Sequence, residues 1–260
     1  MTASYIASAS RNRARLAALL ISWLPFAAIL HAQDPSADRI QTLERELRQQ
    51  KHTLADYGGL NRYGSDDSEL PPPAKGENRV IFLGDQITDF WGHEDGTFFP
   101  GKPWLNRGIA GQTTDQMLIR FRQDVIALQP KVVLILGGLN DVAGIHTPSS
   151  EELVLDNLKS MTELAQAHGI RVIIASLTPV CDCFVKGGRQ RLQGRISELN
   201  GLIKEYCAQS GAIYLDYYAA LVSGRDFKKE LTKDGVVPNE AGYNIMATLA
   251  SKAIAEALKK

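Results

Sequence analysis

The segment that decides the fold is "VIFLGDQITDFWG", residues 80–92. It begins as a continuous apolar run and changes at Gly84-Asp85 into polar residues. An unbroken β-branched run predicts a strand that is buried on both faces, as in a parallel sheet. Two more runs share this pattern, "KVVLILG" at 131–137 and "IRVIIAS" at 170–176.

Weaker strands are predicted for "WLNRGI" near residue 104 and "AIYLDY" near residue 212. Amphipathic helices are predicted between the strands, and one of them opens with a capping box formed by Ser149 and Glu152. Alternating strands and helices imply right-handed crossovers and a parallel sheet with helices on both faces. In such sheets the working site lies beyond the carboxyl ends of the strands.

Residues 1–33 have the pattern of a signal peptide. Three arginines, at positions 11, 13 and 15, precede the apolar core "LAALLISWLPFAAIL", which is followed by "HAQ". The core is about 15 residues long and contains Pro25, whereas a membrane span needs ~20 residues. We therefore expect a secreted or periplasmic protein without stable membrane insertion. An uncleaved N-terminal anchor is the alternative.

The rest of the chain divides near Arg79. Residues 34–78 are predicted to form a leader helix and a turn-rich connector, and residues 79–260 the main domain. The 29 basic residues balance 29 acidic ones. Without residues 1–32 the balance becomes 26 basic against 29 acidic, a net charge of about −3. Because basic residues are not in excess, nucleic acid is not an expected partner.

The three cysteines are Cys181, Cys183 and Cys207. The Cys-x-Cys spacing is too tight for an easy disulfide. Cys207 shares a helical stripe with apolar residues, so it is predicted to be a core residue; a bridge from Cys207 to the 181–183 loop is the alternative. No histidine accompanies these cysteines at the spacing of a zinc site.

Four polar motifs follow the predicted strands or precede the last helix. They are Gly84-Asp85-Gln86-Ile87-Thr88, "NRGIAGQTT" with Gly108 and Gly111, Gly138-Leu139-Asn140-Asp141, and "DGVVPNEAGY" from Asp234 to Tyr243. Each motif alone is weak, because glycine and asparagine are common in turns. Four of them in this order are a strong signal.

Together these motifs resemble those of the GDSL, or SGNH, hydrolases, from about Arg79 to the C-terminal helix. The resemblance implies a flavodoxin-like α/β three-layer sandwich. It also implies hydrolysis of carboxylic esters, short acyl or acetyl groups that are possibly carried on carbohydrate, without a cofactor. In the family a serine of the first motif is the nucleophile. Gly111 and Asn140 match the oxyanion-hole donors, and Asp234 matches the acid of the triad.

This chain departs from the family pattern at two positions. Gln86 stands where the family has its serine, and Val237 stands where it has its histidine, three residues after Asp234. A carboxamide is not a nucleophile, and valine cannot accept a proton. Loss of the nucleophile or the base costs serine hydrolases on the order of 10⁶ in turnover. The sequence therefore predicts a catalytically disabled esterase that retains the outline of an oxyanion hole.

Other groups of the chain are candidates to replace the missing nucleophile and base. Thr88 is two residues beyond the nucleophile position, so its side chain is expected to point elsewhere. His93 and His146 follow site motifs, although solvated loop histidines are the commoner case. A carboxylate cluster for magnesium or calcium is a further alternative, formed by Asp85, Asp89, Asp141 and Asp234.

Two other functions thus stay open beside the disabled esterase. The chain could be a non-catalytic binding module for acylated ligands, or an active hydrolase with a rearranged site. The expected partner is a small-molecule or glycan ester, and a folded remnant without any ligand is a third alternative. The sequence does not determine the oligomeric state.

Overall fold

The computed structural model describes residues 35–145, 149–181 and 189–259, so the predicted leader at 1–33 lies outside the described residues. The described residues divide into two units between residues 49 and 50. The first helix, α1, is Pro35–Ala55. Within the described ranges, no helix has both the length and the apolar character needed to cross a bilayer.

The centre of the second unit is a parallel sheet of five strands in the order β2-β1-β3-β4-β5. This is the flavodoxin-like order, so the predicted fold class is confirmed. All residues of β1, β3 and, after its first residue, β4 are buried, as the unbroken apolar runs predict. The strands are β1 Val80–Gly84, β2 Trp104–Gly108, β3 Val132–Leu136, β4 Arg171–Ala175 and β5 Ile213–Leu215.

Helices connect the strands and cover the sheet. They are α2 Gly64–Glu69, α3 Gln86–Asp89, α4 Thr114–Asp124, α5 Leu139–Ala143, α6 Glu151–Ala167, α7 Arg189–Ser210, α8 Tyr217–Leu221 and α9 Glu240–Ala257. A two-stranded hairpin, β6 Val222–Ser223 and β7 Asp226–Phe227, follows α8. The N-cap of α6 is Ser150, whose hydroxyl accepts from the amide of Leu153, so the predicted cap at Ser149 is wrong by one residue.

The turn-rich segment before β1 packs on the sheet domain. Tyr63 is only 3% exposed, and its hydroxyl donates to the carbonyl of Gly108. The guanidinium groups of Arg62 and Arg107 each lie 4.7 Å from the centre of its ring. Arg107 also forms a buried ion pair with Asp67 of α2. Residues predicted to connect therefore contribute to the same core as the strands.

Cys207 is free and buried. It packs in the core with Leu199 and Ile203, and burial raises the pKa of its thiol to about 12. The prediction of a core cysteine is confirmed, and the alternative of a Cys207 bridge is wrong. Cys181 is disulfide-bonded.

Candidate active site

The turn between β1 and α3 places Gln86 at the carboxyl edge of the sheet. Gly84 is required there, because a Cβ at this position would lie 2.1 Å from Thr88 Oγ1 and 2.7 Å from the carbonyl oxygen of Leu136. Asp85 caps α3, its Oδ1 accepting from the Ile87 amide at 3.0 Å. Burial, with a smaller contribution from the Asp141 charge, raises the pKa of Asp85 to about 7.

The side chain of Gln86 joins three of the sequence motifs. Its Oε1 accepts a hydrogen bond from the Gly111 amide at 3.1 Å and another from Asn140 Nδ2 at 2.8 Å. Gln86 follows β1, and Gly111 and Asn140 follow the two strands that pair with β1 on either side. The strand order therefore brings together residues that are far apart in the chain.

The side chain of Asn140 is also held by one backbone group. Its Nδ2 also donates to the carbonyl oxygen of Gln112 at 2.8 Å, and its side chain is almost fully buried. The neighbouring Asp141 accepts from both the amide and the hydroxyl of Thr114, the first residue of α4. Burial raises the pKa of Asp141, while the bonds from Thr114 oppose that shift. The start of α4 and the helix that carries Asn140 are thus locked to one another.

Gly111 presents its amide through an unusual backbone conformation. Its φ is +80°, a region that L side chains rarely adopt. The next residue, Gln112, accepts from the guanidinium of Arg120 at 2.6 Å and donates to the carbonyl of Gly58. The bonds of Gln112 to Arg120 and Gly58 therefore fix this loop, and the amide of Gly111 stays directed at Gln86.

Asp234 and Val237 lie on the loop before α9. Asp234 Oδ1 accepts from the amides of Val236 and Val237 at 2.9 and 2.8 Å. The Thr232 hydroxyl donates to the carbonyl of Val237 and accepts from the amide of Gly235. Asp234 is exposed, whereas Val237 is 5% exposed. The carboxylate thus organises a tight turn, and the isopropyl group is buried within it.

Tyr243 connects this loop's helix to the first motif. Its hydroxyl donates to the carbonyl oxygen of Ile87 at 2.8 Å, and its ring stacks on Trp91 at a centroid distance of 5.1 Å. Both residues of this stack are buried. The N-terminal end of α9 is therefore held against α3, the helix that begins with Gln86.

A cavity of about 440 Å³ adjoins the Asp234 loop. Its volume lies in the range of small-molecule sites. It is lined by Cys181, Asp226, Phe227, Lys229, Thr232, Lys233, Asp234 and Gly235.

The substitute nucleophile and bases are placed as follows. Thr88 is 2% exposed and lies against Gly84, so its hydroxyl faces the interior. The side chain of His93 is 52% exposed, and its Nδ1 lies 3.5 Å from Asp89 Oδ1. His146 lies outside the described residues.

The four aspartates of the metal alternative accept from separate backbone amides. Asp85 and Asp234 each accept from the amide of the residue two positions further along the chain. Asp89 accepts from the amide of Ala110, and Asp141 accepts from the amide of Thr114. Within the described ranges, no three His, Cys, Asp or Glu side chains come together as metal ligands.

The sequence analysis did not identify Arg120, a buried residue whose hydrogen bonds hold the segments around Gly84 and Gln112 in place. Its side chain has no exposed surface, and it donates to Asp124, Gln112 and the carbonyl of Gly84. The signal was present, because Arg120 and Asp124 are four residues apart on the face that also carries Met117 and Phe121. The helical spacing predicts that Arg120 and Asp124 form an ion pair, and this pairing accounts for two charged side chains on a buried face.

The order of the strands and the donors at their carboxyl edge define the class of acyl-transfer hydrolases with a flavodoxin-like sheet. The family model of the GDSL-like Lipase/Acylhydrolase family matches residues 82–245. The chain belongs to this family.

Known proteins agree with this assignment. The structure of a GDSL-like lipase from Bacteroides thetaiotaomicron is 36% identical, with a TM-score of 0.72, and the match covers 77% of this chain and 99% of that one. An acetylxylan esterase from Geobacillus stearothermophilus is 25% identical over 55% of this chain and 68% of its own length. The uncharacterized lipoprotein YqeF from Bacillus subtilis is 35% identical over 30% of this chain. That last match spans only 33% of the lipoprotein.

Proposed function

We propose that this chain is an exported, catalytically disabled member of the family, derived from an esterase of short acyl groups. The ancestral substrate would be an acetyl or similar ester, carried on a carbohydrate or a small alcohol. The name of the Geobacillus relative supports an acetylated sugar, and that of the Bacillus relative supports export. The proposal assigns the nucleophile position to Gln86 and the base position to Val237.

One observation carries this proposal. The side chain of Gln86, two residues after β1, points at two converging N–H donors, those of Gly111 and Asn140. Donors at 2.7–3.1 Å from an oxygen are the arrangement that stabilises the developing charge of an acyl-transfer transition state. A serine at residue 86 would have its hydroxyl beside those donors. A glutamine there has no atom that can attack an ester carbonyl.

The last motif supports the same interpretation. Asp234 and Val237 lie on one turn, and Tyr243 ties the following helix to α3. In the family's last motif, one loop carries both the acid and the histidine that serve the nucleophile. Here the residue at the histidine position of the turn is the buried Val237, which can take no proton. Even a restored serine would lack its base.

The test is hydrolysis of p-nitrophenyl acetate by the chain, by the Gln86→Ser, Val237→His double variant, and by that variant with Asp234→Ala. We expect fast turnover only in the double variant, above the chain by at least ~10³ and on the order of 10⁶ at best. Asp234→Ala should then remove most of that gain, by a factor of up to ~10⁴.

A matched control moves the histidine by one residue. The Gln86→Ser, Val236→His variant has the same composition as the active one, and Val236 is buried to the same 5%. It should stay inactive, because its imidazole would face a different side of the turn. Equal activity of the chain and the double variant would refute the assignment, and so would activity of the control.

The cavity beside Asp234 favours a second function, non-catalytic binding of an acylated ligand. Phe227 offers an apolar wall, and Thr232 and Lys229 offer polar groups. The test is calorimetric titration of acetylated xylo-oligosaccharides against their deacetylated forms, with Phe227→Ala as the cavity variant. Saturable binding that needs both the acetyl group and Phe227 supports this function. Indifference to the acetyl group contradicts it.

A further inference from the structure

The Gln86 carboxamide occupies the two donors that an ester carbonyl would need. The Gly111 amide can only donate and the Gln112 carbonyl can only accept, so these two backbone groups fix the orientation of the amides between them. Asn140 must turn its NH₂ toward Gln112, and Gln86 must turn its oxygen toward Gly111. The atom that accepts from Gly111 and Asn140 is therefore the carbonyl oxygen of the Gln86 carboxamide, and an ester substrate would place the same kind of oxygen there.

The two donors are held in place without help from Gln86. Asn140 is anchored by its bond to Gln112, and Gly111 by its left-handed backbone and by the bonds that Gln112 makes with Arg120 and Gly58. Removal of the Gln86 side chain would therefore leave the pair of donors aimed at an empty position. A buried donor without an acceptor favours any ligand that supplies one.

We propose that Gln86 is a built-in ligand that closes a binding site for small acyl compounds. This inference deepens the proposed function, on which it rests for the role of Gly111 and Asn140. The substitution thus has two effects. It removes a nucleophile, and it fills the position of the substrate's carbonyl oxygen.

The part of glutamine that alanine lacks has the structure of acetamide, so acetamide is the probe. In Gln86→Ala, acetamide should bind at Gly111 and Asn140 and move the ¹⁵N–¹H signals of both groups in a saturable way. The affinity of Gln86→Ala for acetamide should exceed that of the unchanged chain by at least ~10-fold, which corresponds to the net contribution of two modest hydrogen bonds. Acetate is the second probe, and it tests whether a charged acyl oxygen is also accepted beside buried Asp85 and Asp141.

Three controls make the experiment specific. Acetamidinium has the same shape but only donors, so it should not bind to Gln86→Ala. The Gln86→Ala, Asn140→Ala variant should lose the acetamide response. Gln86→Glu keeps an acceptor oxygen on the donors and should stay closed to acetamide. Circular dichroism and thermal unfolding establish that each variant is folded, and Gln86→Ser replaces Gln86→Ala if the alanine variant does not fold.

Equal responses of Gly111 in the chain and in Gln86→Ala would overturn the proposal, and so would a folded Gln86→Ala that ignores acetamide. If acetamidinium binds as strongly as acetamide, binding depends on shape and not on an acceptor oxygen, and this result would also overturn the proposal. The outcome is separable from that of the proposed function. Ligand binding needs neither a nucleophile nor a base, whereas the revertant assay needs both.

Discussion

The hydroxyl of Tyr243 donates a hydrogen bond to the backbone carbonyl of Ile87 at 2.8 Å, across 156 positions of the chain. Ile87 is the second residue of α3, directly after Gln86, and Tyr243 lies in the first turn of α9. The contact joins the first sequence motif to the last. A local strand-turn-helix and the first turn of the C-terminal helix are thereby held together.

Tyr243→Phe should lower the free energy of unfolding by about 1–3 kcal/mol, because it leaves a buried carbonyl without its partner. Urea unfolding measures this. The matched control is Tyr57→Phe, which removes the hydroxyl that donates to Asp115 from a residue at the surface. Water can replace that bond, so the loss should be smaller. A larger loss in the control would contradict the importance of the Tyr243 bond.

Arg120→Met should be among the most damaging single changes. It leaves Asp124, which has no exposed surface, without its cation, and it removes one of the two hydrogen bonds that the carbonyl of Gly84 accepts. Breaking a buried pair in this way costs about 3–5 kcal/mol. The Arg120→Met, Asp124→Leu variant removes both charges and should recover part of the loss. If the double variant unfolds as easily as the single one, the uncompensated charge is not the cause.

Gly111→Ala should destabilise the chain by about 1–2 kcal/mol through its backbone alone. Its φ is +80°, and an added Cβ would meet no atom within 4 Å. The matched control is Gly201→Ala, within α7, where φ is not positive and the space is also open. There alanine should stabilise by up to about 1 kcal/mol. Thermal unfolding of the two variants should therefore show shifts of opposite sign, and shifts of the same sign would refute the argument.

Asp85→Asn tests the buried carboxyl group. The folded pKa of Asp85 is about 7, above its ordinary value of 3.8, chiefly because of burial. The protonated form is thus favoured in the folded state, and stability from this group is full below pH 4 and is lost as the pH rises to 7. The loss amounts to at most about 4 kcal/mol.

Asparagine can keep the cap on α3 and does not ionise, so the variant should gain stability relative to the chain between pH 4 and 7. Urea unfolding at several pH values, with both proteins side by side, measures the difference. A difference that does not change with pH would show that Asp85 ionises normally in the fold. Since Asp141 lies near and is buried too, Asp141→Asn identifies its share of the shift.

Local pattern was sufficient for the sheet. The runs at β1, β3 and β4 are apolar because both faces of those strands are buried, and this is visible in any window of a few residues. The ends of the helices were harder to predict, as the N-cap of α6 at Ser150 shows. Two adjacent serines offer the same hydroxyl, and only the backbone conformation selects one of them.

The segment before β1 could not be assigned from its residues. Its glycines, prolines and polar residues are typical of a linker, and its ordering depends on distant partners. Tyr63 is buried because its hydroxyl donates to the carbonyl of Gly108 and its ring lies against the guanidinium of Arg107. Asp67 forms its ion pair with the same arginine. No local window contains that information.

The sequence by itself indicated the strands and the family, and it predicted that Gln86 and Val237 depart from the family motifs, because these inferences depend on short-range pattern and residue chemistry. Only the tertiary structure decided that Gln86 rests on Gly111 and Asn140, that Arg120 lies beneath them, and that Asp234 closes its own turn. The physical reason is that a hydrogen bond is set by distance and direction to one partner. Those quantities exist only once strands remote in sequence lie side by side.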